Sequence, residues 1–305
     1  MLWFLLACSP HKGAPPADSG GGTGLTDTAD SGDTADSGDS GDSGDTASAP
    51  GVLYVSSYFA GLVHRYDPAT GAALSPIEGV PGAQTAVERD GQLYLVAEQA
   101  NAVLLADPET GAVTGTFIGD DARISGPTAA IVGPDGYWYI GCYNTDNVLR
   151  YDQDGAFVDE FVAPGADGLD GPDIGMTFDG EGRLLVPGYD SGALHVFGPD
   201  GTPEAQLLSR EDGLAQPRGV FVAEDGRIWV ASRGSDTVLA RAADGTITEI
   251  TGTRRPSGLT VHDGELLVAS EARNTVRAYD AETGADLGLR VEDALIDGAT
   301  SVAVW

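Results

Sequence analysis

The chain has 305 residues, 44 of them glycine, and a formal net charge of −31. A nucleic-acid binder displaces counterions from phosphates with a basic face, so this acidity excludes nucleic acid, and anionic membrane surfaces are poor partners for the folded part. Lys12 is the one lysine, the remaining basic residues are arginines spread along the chain, and two cysteines, Cys8 and Cys142, are too few for a disulfide scaffold.

The chain opens Met1-Leu2-Trp3-Phe4-Leu5-Leu6-Ala7-Cys8. An apolar run ending in Leu-Leu-Ala-Cys resembles the lipobox of bacterial lipoproteins. The resemblance implies a signal segment over residues 1–7, cleavage before Cys8 and acylation of its thiol. The run is too short to span a bilayer, so membrane attachment is expected through the lipid anchor alone. It is also shorter than a usual signal h-region and no Lys or Arg precedes it, as expected if the true N-terminus lies upstream of Met1.

Residues 8–50 read as a disordered linker. From 18 to 48 they are almost wholly Asp, Ser, Gly, Thr and Ala, with Leu25 the one sizeable apolar residue. Such a stretch buries too little surface to offset its ordering entropy, and its aspartates repel one another and extend it. Gly-Asp-Ser-Gly at 38–41 and 41–44 matches a serine-protease motif only by low complexity. The anchor and tether together imply display from the cell envelope, at the outer membrane or surface of a Gram-negative bacterium.

Residues 51–305 repeat. An apolar strand follows an acidic glycine turn, anchored at Leu53, Leu93, Trp138, Leu184, Ile228 and Leu266, with successive spacings of 40, 45, 46, 44 and 38 residues. A second strand starts ten residues after each anchor, at Val63, Val103, Val148, Leu194, Val238 and Val276. One fixed offset inside repeats of varying length marks a constant supersecondary unit, and several short strands per forty-odd residues mark a propeller. The second strand usually ends in Tyr-Asp and a tight turn, as at 66–71, 151–155 and 279–284. A small-residue strand precedes each later anchor, and its final copy, Ser301 to Trp305, is the end of the chain. The first repeat lacks such a strand. The fold class is therefore all-β: a six-bladed β-propeller of four-stranded blades over 51–305, with the C-terminal strand closing blade one.

The strand–loop–strand stretches VASRGSDTVLAR (230–241) and VASEARNTVRAYD (268–280), with QPRGVFVAEDGRIWV (216–230), resemble NHL and YncE-like propellers and the related SMP-30/gluconolactonase-like ones. The resemblance covers the whole repeat region. It implies the fold and leaves function open, because propellers host many activities.

Two columns are expected at the channel mouth. One lies just before the innermost strands: Gln84, Thr128, Asp173, Arg218, Ser257 and Thr300. The other lies five residues after each anchor: Tyr58, Glu98, Tyr143, Tyr189, Arg233 and Glu271. Three tyrosines with both charge signs in one ring suit a protein loop, a glycan or another small polar ligand. Gluconolactonase-like propellers hold a divalent metal with Glu, Asn and Asp. The resemblance places their Asp at Asp173, whereas Thr128 and Ser257 stand where amide ligands would be. His64 and His195 sit off the axis, so a His-dependent lyase of the virginiamycin kind is not expected, and no Ser-His-Asp arrangement stands out. Cys142 falls in a column of small residues and reads as core. The expected function is a monomeric, non-catalytic binding propeller without a cofactor. The alternative is a metal-dependent lactonase, with calcium or another divalent ion at Asp173.

Overall fold

A computed structural model of the chain describes residues 51–305. The Cys8 lipobox and the linker expected over 8–50 lie outside the described residues.

Six antiparallel sheets make up residues 51–305. Blade one contains Leu53–Ser57, Leu62–Tyr66, Ala73–Glu78 and Ala299–Val304; blade two contains Ala83–Arg89, Gln92–Ala97, Ala102–Ala106 and Val113–Ile118. Blade three runs from Pro127 to Val162, blade five from Pro217 to Thr251 and blade six from Pro256 to Glu292, each with four strands. Blade four has three: Thr177–Phe178, Leu184–Gly188 and Ala193–Phe197. Its outer position is held by the single bridges Leu194 to Leu208 and Phe197 to Pro203. Its inner strand is short but gains the bridge Pro172 to Gly188.

The ring closes as the repeats imply. Val304, Ala303 and Val302 pair with Leu53, Tyr54 and Val55, so the last strand fills the innermost place of the first sheet. All six anchors are buried, five of them at 1% exposure or less. The core is divided among the clefts between neighbouring blades. One cluster joins Leu53, Val55, Ala299 and Val302 of blade one to Leu267, Ala269, Val276 and Val291 of blade six. The other adjacent pairs are joined in the same way. Sheets buried on both faces explain why the first and second strands read as nearly continuous apolar runs.

Backbones crowd at the axis. A Cβ at Gly219 would lie 2.5 Å from the Ser257 carbonyl oxygen, and one at Gly258 would lie 2.5 Å from the Ser301 Cα. That closeness accounts for the small residues of the innermost strands. Further out, arginines bridge blades. Arg65 donates to Pro108 O at 2.7 Å, and Arg227 to Ala281 O and Glu282 O at 3.0 Å.

A second set of interblade ties comes from the hairpin turn eight residues past four of the six anchors. Asn101, Asp146, Asp236 and Asn274 all have positive φ there. Their side chains accept from Gly126 N, Gly171 N, Arg255 N and Gly298 N at 2.7 to 2.9 Å, each in the loop that leads into the following blade. Asn and Asp tolerate this left-handed conformation better than most residues. These turns and loops flank the mouth of the channel and hold its rim in place.

Candidate functional site

A cavity of about 220 Å³ opens at one end of the axis. It is lined by five of the six entry-column residues and all six of the second column. Thus Gln84, Thr128, Asp173, Arg218 and Thr300 meet Tyr58, Glu98, Tyr143, Tyr189, Arg233 and Glu271 in one space. Each position reaches it because the blade hairpins share one offset and every inner strand begins at the same end of the channel.

Ser257 is the exception. It is fully buried, and its hydroxyl lies 2.7 Å from both the Ala299 and the Thr300 carbonyl oxygens. A short side chain beside two backbone carbonyls turns to the backbone, so Ser257 braces the contact between blades six and one and lies outside the cavity lining. Thr128 and Thr300 do both jobs. They line the cavity and donate to Pro172 O and Ala83 O of the next blade, each at 2.8 Å.

The charged residues are paired across blades. Arg218 grips both carboxylate oxygens of Asp173 at 3.0 Å, and the two are 7% and 2% exposed. Arg233 holds Glu271 through two bonds of 2.6 and 2.8 Å and also donates to Tyr189 Oη at 2.8 Å and Gln216 Oε1 at 2.9 Å. Burial works against ionisation of Glu271. The Arg233 bonds and the charges of Arg218, Arg233 and Arg255 overcome it and pull its pKa below the usual range. Arg218 also loses by burial, but Asp173 and Glu271 more than restore its charge. Such bidentate pairs are strongly directional, so this side of the mouth, from blades four, five and six, is prefixed.

The opposite side differs. Glu98 receives hydrogen bonds only from neutral groups, the Gln84 amide and Tyr58 Oη at 3.4 Å. Burial drives its pKa up; Gln84 opposes this, and the Asp173 charge adds to it. Gln84 is 3% exposed, and its Oε1 has no hydrogen-bond partner among the described residues. Phe59 stands at this rim, 68% exposed, with its ring edge-on to Tyr58 at 5.1 Å. The column argument missed Phe59 because it is one residue past its column in a single blade, and only its exposure identifies it.

The donor set does not fit a divalent cation. Both oxygens of Asp173 face a guanidinium, which would repel a metal ion there. Among the described residues no group of three or more His, Cys, Asp and Glu side chains is gathered as a metal cluster.

Away from the axis, the structure corrects one expectation. Ser191 Oγ lies 2.8 Å from His195 Nε2, and His195 Nδ1 lies 3.3 Å from Asp167 Oδ2. This Ser-His-Asp chain was invisible because Asp167 comes from an irregular loop 28 residues upstream, at a positive-φ position. Gly188 permits the contact, since a Cβ there would fall 2.1 Å from Ser191 Oγ. The geometry is that of a satisfied buried histidine. His195 is fully buried, and burial lowers its pKa although Asp167 opposes the shift. The backbone N–H groups of Ser191 and Gly192, the local candidates to stabilise an oxyanion, are spent on Asp170 O and Gly188 O. His64 occupies the equivalent place in blade one, buried, with its Nε2 unpartnered among the described residues.

No family model and no curated relative matches the sequence. Solved structures do match. The nidogen/laminin complex aligns with TM-score 0.71 at 16% identity, over 83% of this chain and 98% of that one. A protein of unknown function from Bacteroides caccae aligns with TM-score 0.65 at 14% identity, over 84% and 99%. A catalytically inactive virginiamycin B lyase from Staphylococcus aureus with quinupristin aligns with TM-score 0.61 at 14% identity, over 85% and 93%. At such identities the likeness concerns the fold, and these neighbours include both a protein complex and a lyase. The chain shares with them the architecture of a β-propeller.

Proposed function

We propose that residues 51–305 form a non-catalytic binding module that holds a protein segment or a small polar ligand, such as part of a glycan, at the channel mouth. In this reading Cys8 carries the lipid anchor, and the acidic tether displays the propeller at the bacterial surface. The observation that carries it is the convergence of side chains from all six blades on one cavity, beside the exposed Phe59. Aromatic residues next to buried, preorganised polar groups are the usual makings of an energetic centre in an interface. A neighbouring propeller occurs in a nidogen/laminin complex, which accords with a protein partner. The lactonase alternative is disfavoured by the guanidinium lock on Asp173.

The test is an immobilised-domain screen against peptide and glycan arrays, repeated with Phe59→Ala, Tyr143→Phe and Tyr189→Phe. Binders retained by the native domain should be lost or weakened tenfold or more by at least Phe59→Ala. Binders that ignore all three substitutions would place recognition on another face. For the anchor, Cys8→Ala should move the protein from the membrane fraction to the soluble fraction; continued membrane retention would contradict lipidation.

A further inference from the structure

We infer that the group received in this cavity is cationic, an alkylammonium or guanidinium the size of a lysine or arginine side chain, seated at Glu98 and Gln84 between the rings of Tyr58 and Tyr143. The inference rests on the channel-mouth reading and sharpens it.

Charge balance is the first argument. Five charged side chains line the cavity. Arg218 and Asp173 cancel, and so do Arg233 and Glu271, each pair through two short bonds. Glu98 is left with neutral partners only. An anionic ligand would meet that carboxylate without a free guanidinium to answer it. A cation would supply the missing partner beside a half-buried carboxylate, where the attraction is stronger than in bulk water.

The unpaired oxygen is the second argument. Gln84 Oε1 is a buried acceptor without a donor, and such groups carry a free-energy cost until something donates to them. Ammonium and guanidinium groups carry three and five donors and no acceptor. One of them can satisfy Glu98 and, after a small side-chain adjustment, Gln84 as well. A neutral hydroxyl can feed the oxygen but leaves the charge unanswered.

Size and walls give the third. About 220 Å³ is below the usual range for a drug-sized ligand, roughly 300–1,000 Å³, and suits one inserted side chain. Tyr58, Phe59 and Tyr143 line the same cavity, and aromatic faces attract cations. Burial raises the pKa of Glu98 against the hydrogen bonds of Gln84 and Tyr58, with Asp173 raising and Arg218 lowering it. Docking a cation should therefore pull the Glu98 pKa back down.

The experiment is calorimetry of the full chain with Gly-Gly-Arg-Gly-Gly, Gly-Gly-Lys-Gly-Gly and butylamine, against the citrulline and norleucine peptides and butanol. Cationic probes should bind at least tenfold more tightly than their uncharged isosteres. Peptide binding without butylamine binding would assign the cation to a protein segment, and binding of both would extend it to free amines. Glu98→Gln, which keeps the side-chain volume, should abolish the preference, with its melting curve confirming the fold. Equal binding of charged and uncharged probes to the native chain, or a preference that survives Glu98→Gln, would overturn the inference. If array binders fall with Phe59→Ala yet show no cation preference, the binding-module reading stands and only this inference fails.

Discussion

At the residue scale, the Asp173–Arg218 pair decides most about the site. Two charges removed from water owe their tolerance to each other. Arg218→Met leaves Asp173 buried and unpaired and should cost about 3–5 kcal/mol of stability. The double variant Asp173→Leu with Arg218→Met should recover most of that loss in a denaturant titration. Additive losses would show that the two do not depend on each other. Cys142 makes the opposite point, since it is fully buried and desolvation lifts its thiol pKa to about 11. It should resist alkylation at pH 8 in the native chain and react once denaturant is added. The column of small residues already indicated as much from the sequence. The pairing of Asp173 was not legible, because Arg218 is 45 residues away and only the ring brings the two together.

His195 and His64 set a pH dependence at the same scale. Burial lowers both pKa values, against Asp167 at one and against Asp293 and the Leu295 backbone at the other. The unfolded chain therefore takes up protons first as pH falls below about 6.5, and stability drops from there toward the lower folded pKa values. Glu98 acts in the opposite sense, because its raised pKa favours the folded chain as pH falls. A urea midpoint lower at pH 5.5 than at pH 7.5 is expected, with part of the difference removed by His195→Gln. An unchanged difference would mean that His195 stays as accessible to protons folded as unfolded.

The element scale shows why the repeats could be read at all. Each hairpin between first and second strands keeps one length, so anchor and partner fall in register, as Leu53 with Tyr66 and Trp138 with Tyr151. The Tyr-Asp ends have physical work to do. Tyr66 Oη donates to Asp293 at 3.0 Å and Tyr151 Oη to Asp121 at 2.9 Å, each fastening the loop that leads into its own blade. The following Asp67 and Asp280 accept from the backbones of Thr70 and Thr283 to close the turn. What the strand pattern could not reveal was irregular. The loop ahead of blade four delivers Asp167 to His195, and that blade's inner strand shrinks to Thr177–Phe178. Neither follows from alternation or a fixed offset. The positive-φ ties provide a test here. Asn274→Ala loses the bond to Gly298 N and forces Ala into the left-handed region, and should cost about 1–2 kcal/mol. Asn274→Gly loses only the bond and should cost less. Equal losses would make the backbone conformation irrelevant.

For the molecule as a whole, closure decides the rest. Six clefts share the core, and the one between blades six and one exists only because Ala299–Val304 lies beside Leu53–Ser57. Remove that strand, and the first blade presents a bare edge to the axis. Thr300 would also leave the cavity wall, together with its bond to Ala83 O. The binding site is thus a property of the closed ring: each blade contributes one to three side chains, and none could assemble it alone. Closure could be anticipated from the sequence because the small-residue strand missing before Gly51 reappears as Ser301 to Trp305. Amide hydrogen exchange of the native chain measures it directly. Ala303, which pairs with Tyr54, should exchange as slowly as Val55, in one cooperative unit with blade one, whereas fast exchange at Ala303 beside a protected Val55 would contradict the closed ring and the shared mouth built on it.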